Sequence, residues 1–141
     1  MNTLSDQDLF NIAKYNKLSL LGVYQKDMLP KKLKRGYYII NLEASYKGNG
    51  THWTVLYYNP NMSLYFDSYG FGPPKEIEQA IGSYIYSQMD IQDIKSSSCG
   101  YYSISFIKEG VNTLNKYKEF LKSFINNDID NELDLYKKLY D

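Results

Sequence analysis

Cys99 is the only cysteine and His52 the only histidine in this 141-residue chain, and 47 positions separate them. A thiol and an imidazole together can form a thiolate–imidazolium pair, the nucleophile–base unit of covalent acyl transfer. The thiolate is the attacking species, and a cationic neighbour or a helix N-terminus favours it. Ser96-Ser97-Ser98 is a capping-rich loop, and the apolar stretch from Cys99 to about Val111 reads as a buried helix. The sulfur therefore belongs at a helix start. Counts alone do not make a site. A lone cysteine is usually a small buried hydrophobe, and a Cys and a His become a pair only through their surroundings.

Two further side chains supply such surroundings. His52-Trp53-Thr54-Val55-Leu56-Tyr57-Tyr58 reads as a strand, Asn59-Pro60-Asn61-Met62 as a turn, and Ser63-Leu64-Tyr65-Phe66-Asp67-Ser68 as the returning strand. This hairpin brings His52 and Asp67 to neighbouring free ends, where opposed Cβ atoms lie ~5 Å apart. A carboxylate there fixes the imidazole tautomer and stabilises the imidazolium, although a strand-end Asp often serves only as a turn residue. Gln92 stands seven residues before Cys99. Its side-chain amide and the Cys99 backbone N–H could form an oxyanion hole; alone, such a Gln is more commonly a surface residue.

The elements that must position these groups follow from pattern and punctuation. Ser5 with Asp8 reads as an N-cap before Leu9, Ile12 and Ala13 at helical spacing. Gly36 precedes the apolar run from Tyr37 to Leu42, which suits a buried strand, and Lys47-Gly48-Asn49-Gly50 is a turn. A helix is expected to start beside Pro74 and run through Ile77, Ala80, Ile81 and Tyr84. Ile91 to Ile94 is a short strand candidate, and residues from Tyr117 to Ile125 and from Glu132 to Tyr140 read as amphipathic helices. The expected architecture is α+β: a small, mainly antiparallel sheet packed against a central helix, with further helices around it.

Composition removes several alternatives. The length suits one domain over residues 1–141. Sixteen basic residues balance sixteen acidic ones, which argues against a whole-molecule nucleic-acid binder. Lys31-Lys32-Leu33-Lys34-Arg35 is the one basic run, read first as a solvated loop and second as a DNA contact. One cysteine excludes an intramolecular disulfide and fits a reducing compartment. The first residues lack the basic and apolar regions of a secretory signal, and no apolar run approaches the ~20 residues of a membrane span. One His and one Cys cannot furnish a zinc set, so no metal or other cofactor is expected.

Taken in order, Gly50-Thr51-His52-Trp53, Tyr65-Phe66-Asp67-Ser68-Tyr69-Gly70, Gln92 and Ser98-Cys99-Gly100-Tyr101 form a His, acid, Gln, Cys series. This series resembles the adenovirus-type (adenain-like) maturation proteases, relatives of the Ulp1-like SUMO proteases. Its form is closest to the proteases of virophages, Polinton-like elements and some large DNA viruses. The segment from Gly22 to Pro30, with its Lys-Asp-x-Leu-Pro element, extends the resemblance, which spans residues 4–107. The resemblance implies a papain-like fold with permuted strand order. It implies Cys99 as nucleophile, His52 as base and acid, Asp67 as orienter and Gln92 as oxyanion donor. Gly50 and Trp53 would lie beside the substrate, with core packing as the alternative for Trp53.

The implied activity is cleavage of viral capsid precursors after small residues such as Gly, by a monomer in the virion and the infected cell. The alternative is an isopeptidase acting on ubiquitin-like Gly-Gly conjugates. The sequence departs from the adenovirus enzyme in two instructive ways. Its acid is Asp, not Glu. Its only thiol is the proposed nucleophile, so an activating peptide could not be tethered by a disulfide.

Overall fold

The computed structural model describes residues 4–43, 52–91 and 98–124. The elements, in chain order, are α1 (Asp6–Tyr15), β1 (Leu20–Gln25), β2 (Gly36–Asn41), β3 (Trp53–Tyr58), β4 (Ser63–Phe66), α2 (Lys75–Ile81), β5 (Tyr84–Tyr86), α3 (Cys99–Lys108) and α4 (Leu114–Lys122). The strands form one sheet in the order β1-β2-β3-β4-β5. β3 pairs antiparallel with both β2 and β4, so the expected hairpin is the centre of the sheet. The outer pairings, β1 with β2 and β4 with β5, are parallel.

Strand alternation divides the interior into two cores. Ile39, Val55, Leu64 and Phe66 point to one face, where Leu9 and Ile12 of α1, most of α3, and Tyr117 and Phe120 of α4 cover them. Tyr38, Ile40, Leu56 and Tyr65 point to the other, covered by Ile77 and Ile81 of α2. Phe66 stacks on Phe106 with ring centroids 5.7 Å apart, and Phe120 meets Phe66 edge-on at 5.1 Å. Aromatic pairs of this kind contribute about 0.5–1.5 kcal/mol each beyond their burial. α3 is buried from Cys99 to Ile107, the central helix that the sequence implied.

Several boundaries differ from the sequence reading, each for a local reason. Gly82, at φ 69°, ends α2, and Tyr84 opens β5 instead of closing the helix. Its helical spacing from Ile77 and Ile81 is coincidental. β1 and β5 carry no clear alternation, so the sequence pattern does not mark them. Ile91 belongs to no strand; residues 92–94 of that candidate lie outside the described residues. α3 stops at Lys108, before Gly110 at φ 65°. α4 starts at Leu114, three residues before Tyr117, because the Thr113 hydroxyl accepts the Lys116 N–H at 3.1 Å. The helix expected from Glu132 to Tyr140 lies outside the described residues. The Ser5 cap is present in full: its hydroxyl accepts the Asp8 N–H, and Asp8 accepts the Ser5 N–H.

Candidate active site

His52 immediately precedes β3, and its carbonyl accepts the Leu42 N–H at 3.0 Å, so the backbone ladder with β2 still holds it. Asp67 immediately follows β4. The two are not directly opposed, as the hairpin reading expected. Pairing of Val55 with Phe66 and Leu56 with Tyr65 sets a register that, continued, places Thr54 opposite Asp67. His52 lies two positions further along, and its long side chain spans the diagonal. Nε2 reaches Asp67 Oδ1 at 2.8 Å.

Asp67 is 1% exposed, and the same Oδ1 accepts the Tyr69 N–H at 2.8 Å. The Gly70 N–H closes the turn onto the Asp67 carbonyl at 2.8 Å. Gly70 is required here: at φ 83°, a Cβ would sit 2.6 Å from the Gln88 carbonyl oxygen. The turn carries Tyr69 over His52, with ring centroids 4.4 Å apart and planes 12° from parallel. A π face lying on an imidazole stabilises its cationic form.

Cys99 is the first residue of α3, so its N–H precedes the helix's own hydrogen-bond ladder. The residue is 1% exposed and forms part of the larger core. Its Sγ accepts the Trp53 backbone N–H at 3.2 Å. The residue after the imidazole thus holds the sulfur beside the imidazole. The Trp53 ring is buried, with its indole N–H donating to the Leu4 carbonyl at 2.8 Å. Gly100 completes this contact. A Cβ there would lie 3.0 Å from Leu4 Cδ1 and 3.3 Å from both Leu9 Cδ2 of α1 and Trp53 Cδ1 of β3, so glycine lets α3 seat on them without displacing those side chains.

Burial opposes charge on His52, but the Asp67 carboxylate and the Cys99 sulfur outweigh it and push the imidazole up to about 9. His52 is therefore an imidazolium at neutral pH. Nε2 is taken by Asp67, so Nδ1 is the buried ring nitrogen left to interact with the Cys99 sulfur. With Nε2 committed to Asp67, the arrangement provides a buried cation, an anion that orients it, and a polarizable sulfur within its field. Such a group can stabilise a thiolate, then donate a proton to a departing amine.

The structure thus brings together Cys99, His52 and Asp67. Trp53 contributes its backbone to the site, with its ring in the core. Gln92 and Gly50 lie outside the described residues. Two contributors escaped the sequence reading. The Trp53 N–H is a backbone group without a sequence signature. Tyr69 does carry a signal, because an aromatic two residues past Asp67 sits where a turn can fold it onto the histidine. Among the described residues no cluster of three His, Cys, Asp or Glu could hold a metal ion, and no helix is long and apolar enough to cross a membrane.

The architecture is a known protease fold. The crystal structure of Se-Met ASFV pS273R protease superposes with a TM-score of 0.50 at 19% identity, covering 74% of this chain and 43% of that one. A second crystal structure of ASFV pS273R protease gives a TM-score of 0.46 at 18% identity, over 73% of this chain and 41% of that one. The chain therefore spans less than half the length of these structures. No family model matches the chain, and no curated protein matches it.

Proposed function

We propose that this protein is a viral cysteine endopeptidase that cleaves capsid or other structural precursors after small residues such as Gly during virion maturation. One observation carries the reading: the sole imidazole is paired with a buried carboxylate at 2.8 Å while the next residue's N–H holds the sole thiol at 3.2 Å. The fold shared with a solved protease supports it.

The mechanism follows from the charges. The imidazolium of His52 stabilises the Cys99 thiolate, with the Trp53 N–H as a second donor to the sulfur. The thiolate attacks the scissile carbonyl, and the oxygen takes the negative charge. The Cys99 N–H at the start of α3 and the Gln92 amide are the proposed donors to that oxygen. Collapse of the tetrahedral intermediate breaks the C–N bond, and His52 gives its proton to the leaving amine. Neutral His52 then removes a proton from water, which attacks the thioester. Collapse of the second tetrahedral intermediate breaks the C–S bond, releases the acid and regenerates the Cys99 thiolate beside a His52 that already carries the proton taken from water. Asp67 and the Tyr69 ring hold the imidazole in one orientation throughout. In this reading the enzyme acts as a monomer in the virion and infected cell, and DNA is not needed.

Co-expression with capsid precursors encoded near its gene, followed by mass spectrometry of new termini, tests the reading. New termini after small residues that vanish with Cys99→Ala are expected. Identical termini with the wild type and the Ala variant would overturn the assignment. New termini arising only from ubiquitin-like conjugates would instead favour the isopeptidase reading.

A further inference from the structure

We infer that Tyr102 is a positioning residue for the catalytic acid, linking the nucleophile's helix to the loop that carries Asp67. The inference rests on the protease reading for its catalytic meaning. The contacts themselves form one continuous chain. Tyr102 lies one turn beyond Cys99 on α3, with no exposed surface, and its hydroxyl donates to the Ile91 carbonyl at 3.2 Å. The Ile91 N–H in turn donates to the Ser68 carbonyl at 2.9 Å. Ser68 is buried and directly follows Asp67. A hydroxyl on the nucleophile's own helix thus grips a residue that grips the acid's loop.

The segment between Ser87 and Ile91 behaves as a brace. At one end the Ser87 N–H donates to the Tyr117 hydroxyl of α4 at 3.2 Å; at the other, Ile91 is tied to Tyr102 of α3. Met89 N–H donates to Ser87 Oγ at 3.0 Å and stiffens it. The acid's loop rests against this brace with no slack, since Gly70 leaves no room for a Cβ between itself and Gln88 or Asp90. The geometry of a charge pair depends on how firmly both partners are held, and small misplacements are costly in rate. Packing alone does not require the hydroxyl. The Tyr102 ring already meets Phe124 edge-on at 5.3 Å, and a phenylalanine would keep that contact.

The test uses the chain's single histidine, whose imidazole C–H signal can be titrated by NMR in the 141-residue chain without any substrate. The described charged or polar groups acting on that ring are Asp67, Cys99 and the stacked Tyr69. Tyr102→Phe is expected to lower the His52 midpoint by about half a pH unit or more, as a loosened carboxylate holds the cation less well. It should lower kcat about 5- to 20-fold with little change in KM, the mark of altered positioning. Tyr102→Phe combined with Asp67→Asn should titrate as Asp67→Asn alone. Tyr37→Phe is the matched control, since it removes a hydroxyl that donates to the Val111 carbonyl at 3.0 Å, away from the site. It should leave the midpoint in place. A wild-type midpoint in Tyr102→Phe overturns the inference, and so does a Tyr102→Phe protein that fails to fold, which would make the bond purely structural. A wild-type protein with the expected titration but no peptidase activity would defeat the protease reading and leave the brace standing.

Discussion

The two faces of the sheet are built differently. On one, α1, α3 and α4 press aromatic and aliphatic side chains into a core that includes Cys99 and Trp53 themselves. On the other, α2 and the 26–35 crossover cover a smaller cluster rimmed by half-buried tyrosines such as Tyr24, Tyr58, Tyr84 and Tyr86. Cys99, the proposed nucleophile, is thus a member of the hydrophobic core, and core packing sets its position. The difference teaches that, in the proposed function, stability and catalysis are coupled on one face and separable on the other.

Removing the sulfur gives the largest effect. Cys99→Ala or His52→Ala should reduce peptide cleavage by about 10⁴-fold or more while the far-UV circular dichroism stays native, because members of such a unit fail together. If Cys99→Ala keeps wild-type cleavage rates, catalysis does not reside on this face at all. Phe106→Ala removes the ring that touches Phe66, Tyr117 and Phe120, and should cost about 3–5 kcal/mol of stability. Chemical denaturation reads that loss, and any folded remainder should be poorly active.

Asp67→Asn removes the charge that holds His52 cationic. Cleavage should fall on the order of 100-fold or more, less than for His52→Ala. In the wild type the alkaline limb of kcat/KM should lie near pH 9, and in Asp67→Asn it should move lower. The stability sign follows from the same shift. The folded value of about 9 stands above the ordinary 6.5, so the stabilisation is complete below pH 6.5 and fades as pH rises through 9. Unfolding free energies across that window should slope downward in the wild type and less so in Asp67→Asn.

Gly100→Ala adds one methyl where a Cβ would lie 3.0–3.3 Å from Leu4, Leu9 and Trp53. Overpacking of this kind costs about 1–3 kcal/mol, and here it should also displace the sulfur and lower kcat. The smallest effect belongs to the other face: Ile77→Val in α2 should cost about 0.5–1.5 kcal/mol and leave the pH profile untouched. A displaced pH profile in Ile77→Val would show that the two faces are not separable.

Short-range signals in the sequence determine the local elements. The Ser5 N-cap and the β3–β4 hairpin depend on residues within a few positions of each other, and the structure contains both, the cap as a full capping box. β1 and β5 depend on distant partners: each is an edge strand paired in parallel, and three residues such as Tyr84-Ile85-Tyr86 carry no decisive period. The site divides along the same line. Hairpin logic brought His52 to Asp67, yet register, fixed by pairing along the whole ladder, moved the contact onto a diagonal. The Trp53 N–H on the sulfur and the Tyr69 ring on the imidazole arise from tertiary packing, which residue types alone do not encode.

As the proposed nucleophile, Cys99 at only 1% exposure would also act as a filter on chemistry. Bulky electrophiles and oxidants from solution meet the surface before they meet the sulfur, whereas a reagent carried by a bound peptide is delivered to it. Inhibitors of this protein should therefore gain more from peptide recognition than from a hotter warhead. The ratio of inactivation rates for a small and a bulky alkylating agent of equal intrinsic reactivity would measure how narrow that passage is.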